Sequence, residues 1–127
     1  MSELRDVLAA EGGLLAAALG PADGAASQEP LHIAAAREGQ RLHSGTPVVV
    51  TEADADLALL GGDRLYALGV ERLAAHGDLD GVAALADVIS ECAQAQADGD
   101  SGRAELAWER LVRRADGPVA GRGEPQG

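Results

Sequence analysis

The chain has 127 residues, enough for one domain with a modest core. Its formal charge is −11, and every basic side chain is an arginine, since lysine is absent. Such an acidic surface repels nucleic-acid backbones and anionic lipid, which argues against either as a partner. No apolar run reaches the roughly 20 residues of a membrane span, and the first residues lack a basic-then-apolar signal pattern, so the expectation is a cytoplasmic protein. One cysteine, Cys92, excludes an internal disulfide and suits a reducing compartment.

Taken in chain order, the first predicted helix starts after Ser2 and runs to about Leu19, with Leu4, Val7, Leu8, Leu15 and Leu19 on its apolar face. Gly12-Gly13 interrupts it and Gly20-Pro21 ends it. Ala22 to Glu29 reads as a small-residue loop. A second helix begins at Pro30, a favourable first-turn residue, and reaches about Leu42 with a weak apolar face of Leu31, Ala34, Ala35 and Leu42. Ser44-Gly45-Thr46-Pro47 is a turn signal. Thr51, as N-cap, opens the long central helix to about Ala75; Asp54 makes a weak capping box, and Glu52, Asp54 and Asp56 suit the positive end of the helix dipole. Gly61 and Gly62 sit inside it, each costing about 1 kcal/mol relative to alanine, and the pair reads either as tolerated drift or as close approach of another backbone.

Asp78 caps a fourth helix, Leu79 to Ala97, with Leu79, Val82, Leu85, Ala86, Ile89 and Ala93 on one face. The short connection before it predicts an αα-hairpin with the central helix. A last helix, about Arg103 to Arg114, places Leu106, Trp108, Leu111 and Val112 largely on one side. The organisation read from this pattern is a single helical domain over residues 1–116 and a Gly/Pro-rich, disordered tail over 117–127. The only β-branched run, Val48-Val49-Val50, is too short to found a sheet.

Catalytic candidates are few. His32, His43 and His76 lie on separate segments without metal-ligand spacing and read as solvated or helix-end histidines. Cys92 reads as a small buried hydrophobe, with no basic group placed to lower its pKa. Asp98, Asp100 and Glu109 fit a calcium-loop frame poorly, because Arg103 stands where the sharp turn needs glycine. The two glycine pairs lack the strand-before-helix context and the lysine of phosphate loops.

The stretch His43 to Ala67, HSGTPVVVTEADADLALLGGDRLYA, resembles the trans-type polyprenyl diphosphate synthases, whose sequences read R-R-G-x-P-T, a loop, and then a helix with an L-x-G-D-x-L-x-A core. Gly45, Pro47, Leu60, Gly62, Asp63, Leu65 and Ala67 match in order, and Glu71 to Gly99 continues as the family's next helix and acidic-Gly loop. The resemblance covers about half the chain. It implies an isoprenoid-synthase-like helical fragment from which the catalytic groups have gone. The family's D-D-x-x-D patch, which holds magnesium ions against an allylic diphosphate, falls on Ala34, Ala35 and Glu38. The arginine pair that follows falls on His43 and Ser44, and the basic residues of the N-terminal G-G-K-R-L-R-P motif correspond to Leu14, Leu15 and Ala17. The family's second aspartate-rich motif lies beyond Gly127.

Ionising an allylic diphosphate needs several metal ions and cations on the leaving group, which alanines cannot supply. The expectation is therefore an all-α fold of about five helices around a central antiparallel hairpin, with no catalytic, metal or cofactor residues. Its function is expected to be that of a non-catalytic partner or regulatory subunit. The expected interface comprises Leu57, Leu60, Gly61, Gly62, Leu65, Leu68, Val82, Leu85 and Ile89. The partner is a second copy or a catalytic prenyl synthase, because in the resembling family this hairpin carries the subunit interface. The alternatives are an unrelated helical interaction module and a residual isoprenoid binder with an apolar slot in the hairpin.

Overall fold

The computed structural model describes residues 3–21 and 29–116, which form six α-helices and, among the described residues, no strand. The tail read as disordered, 117–127, lies outside the described residues, as does most of the Ala22–Glu29 loop. The helices are α1 (Glu3–Glu11), α2 (Gly13–Ala17), α3 (Leu31–Ser44), α4 (Ala55–Ala75), α5 (Leu79–Ala97) and α6 (Ser101–Asp116). Gly12 and Gly13, both at positive φ, break the first predicted helix in two, which accounts for six elements rather than about five.

The helix at the centre is α3, the one whose sequence face looked weakest. Leu31, Ile33, Ala34, Ala35, Ala36, Glu38, Gly39 and Leu42 are all buried on it. On one side its Leu31, Ala34, Ala35 and Leu42 join Leu4, Leu8, Val49, Val50, Leu65 and Leu68 in one apolar cluster. On the other, Ile33 and Ala36 join Leu73, Leu85, Val88, Cys92, Ala107, Trp108 and Leu111 in a second. Alanine and glycine offer little apolar area, so a hydrophobicity reading undervalues a helix that earns its place by letting neighbours come close.

The neighbour that comes closest is α4, and it runs antiparallel. A Cβ built on Gly39 would stand 2.7 Å from the Gly62 carbonyl oxygen, and one on Gly69 would stand 2.8 Å from the His32 carbonyl oxygen. The expected close approach at Gly61-Gly62 is therefore present: Leu15 of α2 occupies the space over Gly61, and α3 lies against Gly62. The principal partner of α4 is thus α3, whereas the sequence pointed to α5. The α4–α5 connection is nevertheless as short as expected, with Asp78 capping α5 by accepting from the Gly81 N–H at 2.8 Å.

Three further expectations are corrected. Asp54, not Thr51, is the N-cap of α4; its carboxylate accepts from the Leu57 N–H at 2.8 Å. Residues up to Glu52 are held out of the helix by backbone bonds from Gly20 N–H to the Val49 carbonyl and from Glu52 N–H to the Ala18 carbonyl. The buried stripe of α5 is Gly81, Leu85, Val88, Cys92 and Ala95, so Leu79, Ala86 and Ala93 face outward. On α6, Ala107, Trp108 and Leu111 turn inward and Leu106 is exposed.

Candidate functional site

The three positions that match the metal-binding patch all lie on the inner faces of α3. Ala34 and Ala35 are buried against the α1 cluster. Glu38 is wholly buried, and its carboxylate is occupied by the chain itself. It accepts from the Val48 N–H at 3.1 Å, from Val49 at 2.9 Å and from Val50 at 2.9 Å. Arg41 adds a cation 3.7 Å away. Three successive backbone donors on one carboxylate form a nest closed by the protein's own anion. The bonds fix the loop between α3 and α4, and with it the apolar side chains of Val49 and Val50. Sequence reasoning missed this role. The available signal was a lone glutamate inside an Ala/Gly-rich helix, ten residues before the valine run.

His43 and Ser44 are the residues that the sequence resemblance sets against the family's arginine pair. The His43 ring reaches across the seam: Nε2 lies 3.0 Å from the Leu59 carbonyl oxygen and 3.4 Å from Asp63 Oδ1, and the ring meets Tyr66 edge-on. His43 is thus a bridge between α3 and α4 rather than a solvated residue, and Asp63 has a partner. Burial, opposed by Asp78 and reinforced by Arg114, Arg72 and His76, lowers the His32 pKa below its ordinary value. His76 is exposed at the C-cap of α4.

Cys92 is buried, and burial with the charges of Glu105 and Glu91 pushes its thiol up to about 11, the state of an inert side chain. Asp98 and Asp100 are engaged locally, Asp98 by the Arg103 guanidinium at 3.0 Å and Asp100 by the Arg103 N–H at 3.1 Å. Among the described residues no three His, Cys, Asp or Glu side chains converge to hold a metal ion.

The nine residues expected at an interface divide into two groups. Gly61, Gly62, Leu65, Leu68 and Leu85 are buried within the single chain. Leu60 is exposed, and Leu57, Val82 and Ile89 are half-buried. The last two belong to a second stripe on α5, Leu79-Val82-Ala86-Ile89-Ala93, which recurs at helical spacing and carries no charge. Leu79 is 74% exposed, and Ala86 and Ala93 are exposed with it. The stripe runs about 20 Å along the helix.

A cavity of about 450 Å³ opens elsewhere, where the second half of α3 meets the end of α5 and the start of α6. Arg37, Gln40, Arg41, Gln96 and Glu105 ring it, with Cys92, Ala95 and Ala104 also among its walls. Arg37 is committed there to Glu29, Glu105 and the face of Trp108. No described helix is long and apolar enough to cross a membrane. Compared with known proteins, the chain matches no family model, no curated protein and no solved structure.

Proposed function

We propose that this protein works by association rather than by chemistry: a cytoplasmic, non-catalytic relative of the trans-type polyprenyl diphosphate synthases that pairs with a second copy or with a catalytic synthase. The observation that carries the reading is the second apolar stripe of α5. A helix that buries Gly81, Leu85, Val88, Cys92 and Ala95 inside its own chain, and packs Val82 and Ile89 partly against the same cluster, still leaves Leu79, Ala86 and Ala93 exposed, so it has apolar surface left to cover. Small residues along that stripe allow another helix to pack closely, and a two-fold arrangement would set the stripe against its own copy.

Glu38 supports the non-catalytic half of the reading. It is the one acid at the three metal-patch positions, and it spends its oxygens on the Val48, Val49 and Val50 N–H groups. The relationship to the synthases rests on the sequence resemblance of His43–Gly99. The test has two arms. Incubation with allylic and isopentenyl diphosphates and magnesium should yield no prenyl product; product above a no-protein control would refute the non-catalytic reading. Co-expression with a catalytic synthase of this family, or sedimentation of the chain alone, should give a complex that Leu79→Asp, at a 74% exposed position, abolishes. A monomer in both experiments would refute the association.

A further inference from the structure

A different surface lies at the start of α4, and it stands independently of the α5 stripe. Leu59 and Leu60 are 60% and 68% exposed in the second turn of α4, and Leu14 on α2 is 74% exposed. Leu15, next in sequence to Leu14, packs over Gly61, next in sequence to Leu60. Beside Leu59 a cavity of about 690 Å³ opens between the α3–α4 loop and α4, with Leu42, Pro47, Ala53 and Ala58 among its walls. Three projecting leucines and an adjoining recess make an apolar site that the chain leaves uncovered.

The charge around it specifies the occupant. Glu52, Asp54, Asp56 and Asp63 are all exposed on this end of α4. Asp54 and Asp56 also serve the helix start, but Glu52 precedes it and Asp63 lies beyond its second turn. The arginine of the region, Arg64, is already neutralised by Glu11 at 2.9 Å and by Glu71 at 3.1 Å. A second copy would bring the same four carboxylates to the same place, on a chain whose net charge is already −11. Apolar side chains rimmed by four exposed carboxylates, Asp63 among them already 3.4 Å from the His43 ring, complement a helix with leucine-like residues on one face and arginine or lysine on the other.

We infer that the α2–α4 end binds a basic amphipathic helix of another protein. Its apolar residues pack on Leu14 and Leu60 and enter the recess beside Leu59, while its cations meet Glu52, Asp54, Asp56 and Asp63. The probe is a fluorescent peptide of about five helical turns, with leucines at i, i+3, i+4 and i+7 and arginines between them. A scrambled peptide of the same composition is the control.

Titrated with the full chain, the ordered peptide should bind at least about tenfold more tightly than the scrambled one. The double variant Leu59→Glu/Leu60→Glu should weaken it by about tenfold or more, with an unchanged circular dichroism spectrum because both side chains are exposed. The charge variant Glu52→Gln/Asp63→Asn should also weaken it and reduce its salt dependence. Equal binding of the two peptides, or full binding by the leucine variant, would overturn the inference. So would self-association of the unliganded chain that the leucine variant abolishes, since a second copy would then own the site. Loss of the α5 association with peptide binding intact would defeat the proposed function and leave this surface standing.

Discussion

Gly39→Ala tests the packing that positions everything else. An alanine Cβ at this point would stand 2.7 Å from the Gly62 carbonyl oxygen and 3.2 Å from two ring carbons of Tyr66. The oxygen belongs to the backbone of a 21-residue helix and cannot swing aside, so α3 and α4 must separate by several tenths of an ångström. Glycine-to-alanine inside a helix gains about 1 kcal/mol from propensity. Overpacking a tight contact costs about 1–3 kcal/mol. The balance is a net destabilisation of up to about 2 kcal/mol, or a fall in midpoint of a few degrees for a chain of this size. The assay is thermal unfolding of the full chain followed by circular dichroism. Gly102→Ala on α6 is the control, because its Cβ would meet nothing nearer than Asp100 Oδ1 at 3.6 Å and should leave the midpoint unchanged or slightly raised. A Gly39→Ala protein more stable than the parent would refute the close-approach argument.

Three other outcomes are expected. Glu38→Gln removes the charge that three backbone donors face and puts an NH2 at the oxygen position 3.2 Å from the Val48 N–H, so it should cost about 1–3 kcal/mol; an unchanged denaturation midpoint would show that the Val48–Val50 nest holds nothing together. Cys92, with its thiol at about 11, should react with a chromogenic disulfide at pH 8 at least about a hundredfold more slowly in the native protein than in denaturant, and equal rates would place it at the surface. His32 has its folded pKa below the ordinary 6.5, so the unfolded state takes up the proton first. Stability from its neutral form is intact above about 6.5 and is lost as pH falls through the folded pKa; His32→Gln should flatten the drop in melting temperature on acidification just below 6.5, and an unchanged slope would contradict the assignment.

What was legible in the sequence was the element list. Positive-φ Gly12, Gly13 and Gly77, the Asp78 cap, the Gly45-Thr46-Pro47 turn and the 3.6-residue periodicity placed five of the six helices close to their observed limits. The arrangement was less legible, because its organising helix announces itself by smallness. Ala34, Ala35, Ala36 and Gly39 contribute little to a hydrophobic pattern, yet the small size of Ala36 and Gly39 lets α4 reach backbone-to-backbone distance. Gly62 gave half of that contact away, and its match in Gly39 went unread. The α5 faces were confused for a related reason: an alanine-rich helix apolar on two sides has no single stripe from which to read the inward one. At the positions the resemblance assigns to a metal patch, Ala34 and Ala35 were readable as residues that cannot ligate a metal. The use of Glu38 was not, since it depends on a loop folding back over ten residues to present three N–H groups at once.

Sedimentation velocity of the full chain, alone and co-purified with a catalytic trans-type polyprenyl synthase, tests the claim of association most directly when Leu79→Asp is run beside it. The account predicts a species heavier than the monomer in at least one of the two preparations, lost in the variant while its helical spectrum is kept. A monomer in both, indistinguishable from the Leu79→Asp protein at tens of micromolar, would contradict it.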